Sequence, residues 1–143
     1  MGGGTVVVMS TFLLKTEPSD YSIDDLKADG STMWDGVSNN AALKHMRSVK
    51  KGDEALLYHT GKEREIVGLA QITSAPYPNP ELDDERMVVF DVRYRKRVKT
   101  PVALSQIKAD KRFAGFALVR EPRLSVMPVP VKLDGIIRKM AGL

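Results

Sequence analysis

The chain has 143 residues, a formal net charge of +4 and a sequence pI of about 9.4. This length suffices for one compact domain with a hydrophobic core, and the basic balance permits an anionic partner without requiring one. The sequence has no cysteine, which excludes disulfides, thiolate catalysis and cysteine-ligated zinc within it.

The domain organisation predicted from the sequence is simple. Residues 1–10, which include the Gly2–Gly4 triplet, are predicted to be a flexible tail, and residues 11–143 a single domain without internal repeats. The longest apolar run, Val6–Met9, is far shorter than the roughly 20 residues of a membrane span. We therefore expect a cytoplasmic protein that does not contact membranes.

The first predicted elements are a strand and a short helix. Phe12–Lys15 is apolar and lies shortly before Pro18, which predicts a strand that ends there. Ser22 and Asp25 have the spacing of a capping box, although aspartate replaces the usual Glu or Gln. The helix that they begin should end at Gly30, because glycine favours helix ends.

A second helix and a hairpin follow. The helix is predicted to begin within residues 38–40, whose side chains can accept bonds from unpaired amides of the first turn. Four apolar residues then share one helical face: Ala42, Leu43, Met46 and Val49. Glu54–His59 and Ile66–Ala75 are rich in aliphatic residues and predict the two strands of a hairpin.

The second half of the chain alternates breaks with regular segments. The proline-rich residues 75–80 and the acidic residues 81–85 predict an exposed loop. Arg86–Val98 alternates apolar and polar residues, which predicts a long strand, and Pro101–Ala109 predicts a short helix. Leu124–Met127 and Val131–Met140 predict a last strand and a last helix.

The order of these elements favours an α+β fold. Strands and short helices interleave without a regular βαβ rhythm, which argues against a doubly wound parallel sheet. We expect a mixed β-barrel of about five to six strands flanked by short helices. The sequence contains neither the phosphate-loop motif nor the dinucleotide-binding glycine motif.

Few residues have the spacing of a catalytic or metal site. The two histidines, His45 and His59, are 14 positions apart and have no acidic partner at ligand spacing. His59 ends a predicted strand, so its side chain could line a cleft. The sequence has no nucleophile-elbow motif around a serine. Neither a metal nor a cofactor is predicted.

A basic segment on the long strand has two interpretations. In an extended conformation Arg93, Arg95 and Arg97 would share one face at a spacing of about 7 Å, which suits successive phosphates of a nucleic acid. Charged residues also protect edge strands from aggregation. The sequence alone favours neither interpretation.

The only tryptophan, Trp34, also has two interpretations. It is predicted to lie between a polar turn and a helix, where it is either a core residue or the wall of a pocket. Gly36 permits close approach of a ligand to the backbone, and Ser38 and Asn39 add hydrogen-bonding groups nearby. An aromatic wall beside such groups is what an unpaired nucleobase requires, through stacking on its face and pairing with its edge.

Several short segments follow one another from about residue 11 to the C-terminus. They are Phe12-Leu13-Leu14-Lys15-Thr16-Glu17-Pro18, Trp34-Asp35-Gly36-Val37-Ser38-Asn39, Gly52-Asp53, Tyr58-His59, Val67-Gly68, Tyr77-Pro78, Asp91-Val92, Pro101-Val102 with Leu104 and Ile107, and Arg123-Leu124-Ser125-Val126. Taken in this order, the segments resemble the EVE domain family. Each segment is weakly specific alone, and their shared order makes the resemblance specific. It implies a PUA-like fold, similar to that of YTH domains, which hold a methylated base in an aromatic cage.

The resemblance implies roles for individual residues. Trp34 would be one wall of the cage, and Glu17 stands where a YTH domain has an asparagine. Because a carboxylate only accepts hydrogen bonds, Glu17 would favour a base edge that donates, such as the exocyclic amine of cytosine or adenine. YTH domains supply a second tryptophan that this chain lacks, and Tyr58 or Arg93 is expected to replace it.

The sequence therefore predicts a non-catalytic protein that binds DNA or RNA and takes one base, modified or single-stranded, into a pocket. The predicted pocket residues are Thr16, Glu17, Trp34, Gly36, Val37, Ser38, Asn39, Tyr58 and His59. The predicted phosphate contacts are Lys15, Arg93, Arg95 and Arg97. Two alternatives stay open: an enzyme for modified nucleotides that uses Glu17 and His59, and a module that binds a small molecule or a protein.

Overall fold

The computed structural model describes residues 9–143, so most of the predicted tail lies outside the described residues. Within this range the chain forms seven strands, which are β1 (Thr11–Thr16), β2 (Ser31–Trp34), β3 (Glu54–His59), β4 (Glu65–Ile72), β5 (Tyr77–Pro78), β6 (Val88–Ala103) and β7 (Val126–Val129). It also forms five α-helices, which are α1 (Ile23–Asp29), α2 (Asn40–Arg47), α3 (Leu104–Ala109), α4 (Ala117–Arg120) and α5 (Val131–Ala141). Lys111–Phe113 forms a single 3-10 turn.

The strands form one mixed sheet in the order β2-β6-β4-β3-β1-β7, with β5 paired to β6. β1 and β3 are parallel, and the other pairs are antiparallel. The α+β class is confirmed. The sheet of residues 9–143 has seven strands and is not closed into a barrel, since β2 and β7 are its two ends. The predicted strand number was too low because β2 and β5 are too short to show apolar alternation.

The long strand β6 extends beyond its predicted end. It runs to Ala103, so the predicted helix Pro101–Ala109 is reduced to α3. Ile66 of β4 pairs with Val102 whereas Gly68 pairs with Arg97, so β6 contains extra residues between these two pairs. Proline is tolerated in a strand at such an irregularity, because no ladder hydrogen bond is required of it there.

The first helix is held against the sheet by a capping box and a glycine. Ser22 and Asp25 form the predicted capping box at the start of α1. A Cβ on Gly68 of β4 would lie only 2.4 Å from Cδ1 of Ile23, so the helix packs where β4 has no side chain. This contact fixes the chain just before α1, which forms part of the candidate site.

The remaining helices cover the sheet with apolar faces. On α2, Ala42, Leu43 and Met46 of the predicted face are buried, and Val49 is buried just after the helix, which ends at Arg47. Helix α5 buries Ile137 and Ala141. Arg138 of α5 forms ion pairs with Asp134 and with Glu54 of β3 at 2.9 Å each, which ties the last helix to the centre of the sheet. No helix formed by residues 9–143 is long and apolar enough to cross a membrane.

Candidate functional site

A cleft of about 460 Å³ opens between the end of β1, the turn before α1, and β2. We call it the Trp34 cleft. Its lining residues are Lys15, Thr16, Glu17, Asp20, Tyr21, Thr32, Met33, Trp34, Asp35 and Gly36. The volume lies within the range of about 300–1,000 Å³ that is usual for small-ligand pockets.

Trp34 belongs to the core and to the cleft at once. It is the last residue of β2 and pairs with the fully buried Phe90, rather than lying in a junction between regular elements as predicted. Only 6% of its surface is exposed, and it is packed in the hydrophobic core. The small exposed part of its surface lines the cleft. The two interpretations of Trp34 are therefore compatible.

The aromatic neighbour of Trp34 is Tyr21, which the sequence did not predict. The two ring centroids are 6.4 Å apart and the ring planes are inclined by 79°, an edge-to-face arrangement. The Tyr21 hydroxyl donates to Asp29 at 2.8 Å, and the Thr16 hydroxyl donates to the Tyr21 carbonyl at 2.6 Å. Burial, followed by the Asp29 bond, raises the pKa of Tyr21 to about 12, so the phenol is neutral near neutral pH.

Tyr21 has a weak signal in the sequence. It stands directly before the capping residue Ser22, and four positions after Glu17. The side chain of a residue just before a helix cap often packs against the first turn of the helix, and this contact fixes the direction in which the chain enters the helix. The spacing alone does not reveal that β2 returns beside this turn and brings Trp34 against it.

Glu17 supplies a carboxylate with fixed partners. It accepts hydrogen bonds from the Ser19 backbone N–H at 3.2 Å and from the Ser19 hydroxyl at 3.0 Å, and the Thr60 hydroxyl donates at 3.3 Å. The Ser19 bonds, first the backbone bond, hold the pKa of Glu17 below its ordinary value. Glu17 is thus ionised near neutral pH, and its remaining lone pairs can only accept.

The lining of the Trp34 cleft is acidic. Asp20 and Asp35 are exposed and line it together with Glu17, whereas Lys15 is the one cation among its described lining residues. The described residues contain no group of three or more histidines or carboxylates arranged to hold a metal ion. This lining suits a ligand that donates hydrogen bonds, and it is unfavourable for a phosphate.

The segment after Trp34 contributes less to the cleft than predicted. Gly36 lines it, with a φ of +77° that favours glycine. Val37 and Ser38 are not among the residues that line it. Asn39 caps α2, because its side chain accepts from the Ala42 N–H at 3.0 Å. The predicted helix start is confirmed, but the Asn39 oxygen is occupied by the cap.

His59 is buried and does not belong to the lining of the Trp34 cleft. Its residue surface is only 3% exposed. Nε2 accepts a hydrogen bond from the backbone N–H of Ile23 at 3.1 Å, and Nδ1 lies 3.1 Å from a Glu63 carboxylate oxygen. The side chain points to the start of α1, which strand alternation alone does not specify.

Tyr58 lies in a second cleft of about 250 Å³, which we call the Tyr58 cleft. Its lining residues are Lys15, Tyr58, Thr60, Gly61, Arg64, Leu104, Lys108, Leu118 and Pro122. The Lys15 ammonium donates to the Pro122 carbonyl at 2.9 Å and lies 5.7 Å from the Tyr58 ring centroid. Burial lowers the pKa of Lys15. Tyr58 is thus not the second aromatic of the Trp34 cleft.

The three arginines of β6 do not form the predicted single row. Arg93 and Arg95 both donate to Oε1 of Gln71, at 2.8 and 3.3 Å, whereas Arg97 pairs with Asp24 of α1. Arg95 is an extra residue of β6 between two ladder pairs, a bulge that reverses the alternation. None of the three is among the described residues lining either cleft. Arg93 therefore does not complete the Trp34 cleft.

Together, the open mixed sheet and the two adjoining clefts define a small α+β domain with a ligand-sized opening beside a buried tryptophan. The EVE domain model matches residues 10–140, and the chain belongs to the EVE domain family. Its relatives include thymocyte nuclear protein 1 of Homo sapiens, which is 32% identical over an alignment that covers 84% of this chain and 68% of the human protein.

Solved structures of similar proteins have the same fold. Rpa0253 from Rhodopseudomonas palustris is 39% identical with a TM-score of 0.88, and the match covers 94% of each chain. The human THYN1 protein, whose crystal structure is a complex with DNA containing 5-methylcytosine, is 27% identical with a TM-score of 0.85. That match covers 94% of this chain and 98% of the human one. The PUA-like fold implied by the resemblance is confirmed.

Proposed function

We propose that this chain is a non-catalytic DNA-binding module that takes one modified base, of the 5-methylcytosine type, into the Trp34 cleft. The observation that carries the proposal is the Trp34–Tyr21 aromatic pair beside the ionised Glu17 carboxylate. The complex of the related human THYN1 protein with DNA containing 5-methylcytosine supports this choice of ligand.

Glu17 provides a physical basis for base selection. The exocyclic amine of cytosine donates a hydrogen bond, whereas thymine has a carbonyl oxygen at the corresponding position. A carboxylate held by Ser19 and Thr60 has free lone pairs for the amine, and it would repel the thymine oxygen. Cytosine and its methylated form should therefore bind in preference to thymine.

The aromatic contribution to affinity is limited. Because Trp34 is 6% exposed, it offers part of one wall, and the half-buried Tyr21 offers the other. Base stacking on an aromatic side chain contributes about 1–3 kcal/mol. Phosphate contacts must supply the rest, and extrusion from a duplex costs a few kcal/mol. Single-stranded or mismatched sites should bind more tightly than intact duplex.

The enzymatic alternative requires His59 as the partner of Glu17. The burial of His59 and the bonding of both its ring nitrogens argue against a general base at the cleft. Product formation from modified nucleosides, followed by mass spectrometry, would support the alternative. A small-molecule module would show no steep loss of oligonucleotide affinity with salt, because such loss arises from counterion release.

The test uses the emission of Trp34, the only tryptophan. Short single strands that differ at one position, with cytosine, 5-methylcytosine or thymine, are titrated against the protein and its Glu17→Gln variant. We expect saturable changes with the cytosine strands, tighter than with thymine, and a reduced preference in the variant, whose amide also donates. Glu81→Gln, in the exposed acidic loop, is the matched control. Equal affinity for all three bases in the wild-type chain would overturn the proposal.

A further inference from the structure

The two adjoining clefts carry opposite charge. Three carboxylates line the Trp34 cleft. The Tyr58 cleft is lined by three cations, Lys15, Arg64 and Lys108, and by no carboxylate among the residues that the structure describes. Lys15 belongs to the lining of both, so the boundary between the clefts is itself cationic.

The cations of the Tyr58 cleft are attached to fixed backbone. Arg64 adopts a φ of 48°, an uncommon conformation for a residue with a side chain, and its Nε donates to the Gly61 carbonyl at 3.2 Å. The Arg64 carbonyl accepts from the Leu104 N–H at 2.9 Å, at the start of the helix that carries Lys108. This bond links the turn bearing Arg64 to α3.

We infer that the Tyr58 cleft is a subsite for a backbone phosphate that flanks the base held in the Trp34 cleft. This inference rests on the proposed function. In a cytosine nucleotide the exocyclic amine of the base donates hydrogen bonds, and the adjoining phosphodiester linkage is anionic. The acidic Trp34 cleft suits the base, and the cationic Tyr58 cleft beside it suits the linkage. A volume of about 250 Å³ lies below the usual range for small-ligand pockets, and it suits a single phosphodiester group.

The subsite replaces the arginine row as the principal phosphate contact near the base. Arg97 forms an ion pair with Asp24, and Arg93 and Arg95 both donate hydrogen bonds to Gln71. None of the three arginines lines either cleft. Arg64 and Lys108 have exposed surfaces, and the Lys15 ammonium reaches the same space from β1. Three cations around one anionic linkage is the arrangement expected for phosphate recognition.

The test combines a neutral linkage with charge-removing variants. Strands carrying 5-methylcytosine are prepared with one uncharged methylphosphonate linkage on the 5′ side of the base, on its 3′ side, or several positions away. With the wild-type chain, we expect one flanking substitution to weaken binding by about two- to fivefold, as for an exposed charge pair. The distant substitution should have a smaller effect.

The variants Arg64→Gln and Lys108→Gln then identify the residues that bind the phosphate. If both cations bind that linkage, its neutralisation should weaken binding less in the double variant than in the wild-type chain, because only Lys15 remains to contact it. The slope of log affinity against log salt should become shallower by about 0.7 for each phosphate of a single strand that the variant no longer neutralises. Lys132→Gln, which removes an exposed charge on α5 away from both clefts, should leave the linkage effect intact.

The outcomes separate this inference from the proposed function. The subsite is refuted if neutralising each linkage weakens binding as much in the double variant as in the wild-type chain. In that case a preference for cytosine over thymine would still support the proposed function. If no strand binds, or all bases bind equally, the proposed function fails and the subsite fails with it. Circular dichroism of each variant verifies that the fold is retained.

Discussion

Gly61 lies against the Glu17 carboxylate so closely that a Cβ on Gly61 would be 2.5 Å from Oε2 of Glu17. Real Cβ atoms do not approach other atoms to this distance, so a side chain at Gly61 would displace the carboxylate. Since Gly61 lines the Tyr58 cleft and Glu17 the Trp34 cleft, this contact joins the walls of the two clefts.

The Gly61→Ala variant tests that contact. At a φ of +76° a side chain is strained, and the cost to the free energy of unfolding should be about 1 kcal/mol. Displacement of Glu17 should also reduce the preference for cytosine over thymine. Gly115→Ala is the control, because nothing lies within 4 Å of its Cβ position. Chemical denaturation and oligonucleotide titration measure the two effects, and an unchanged base preference in Gly61→Ala would argue against a role for carboxylate position.

A second prediction concerns pH. The lowered pKa of Glu17 means that its bonds to Ser19 and Thr60 stabilise the folded state above the ordinary carboxyl pKa, and that this contribution is lost as pH falls through the folded-state pKa. The difference in the free energy of unfolding between the wild-type chain and Glu17→Gln should be constant above about pH 5 and should shrink below about pH 4. Urea denaturation at a series of pH values measures it. A difference that grows with acidity would contradict the direction of the pKa shift.

The sequence indicated part of the lining of the Trp34 cleft. Four of the predicted pocket residues, Thr16, Glu17, Trp34 and Gly36, are among the ten residues that line it. Tyr21 was missed because its position depends on two long-range contacts: the packing of α1 on Gly68, and the return of β2 along β6. Local periodicity contains information about neither contact.

The errors on β6 have a different origin. Alternation places Arg93, Arg95 and Arg97 on one face of the sheet only if the strand is regular. The bulge at Arg95 breaks that regularity. A bulge is determined by the pairing of two strands and has no obligatory sequence signal when no glycine is involved. The strand extended past Pro101 for a similar reason, since irregular pairing there tolerates a residue without an N–H.

The two histidines provide a third prediction. In His59→Ala the buried N–H of Ile23 loses its acceptor, which should lower the free energy of unfolding by about 1–3 kcal/mol. The His45 side chain on α2 makes no such bond, so His45→Ala should change the free energy of unfolding by at most about 0.5 kcal/mol. Thermal or chemical denaturation compares them. The folded His59→Ala protein should keep its base preference, and a selective loss of preference would instead favour a direct role for His59 in the cleft.

Tyr21 provides the last prediction, through two substitutions that separate its ring from its hydroxyl. Tyr21→Phe removes the bond to Asp29 but keeps the edge-to-face contact with Trp34, so base affinity should be nearly unchanged. Tyr21→Ala removes the ring and should weaken binding of a 5-methylcytosine strand by about 1–3 kcal/mol. Trp34 emission reports binding in both variants, and circular dichroism verifies their fold. Because Trp34→Ala would cost about 3–5 kcal/mol of stability as a core truncation, Tyr21 is the cleaner probe of the aromatic wall. Equal affinities of Tyr21→Ala and Tyr21→Phe would mean that the base does not contact the Tyr21 ring.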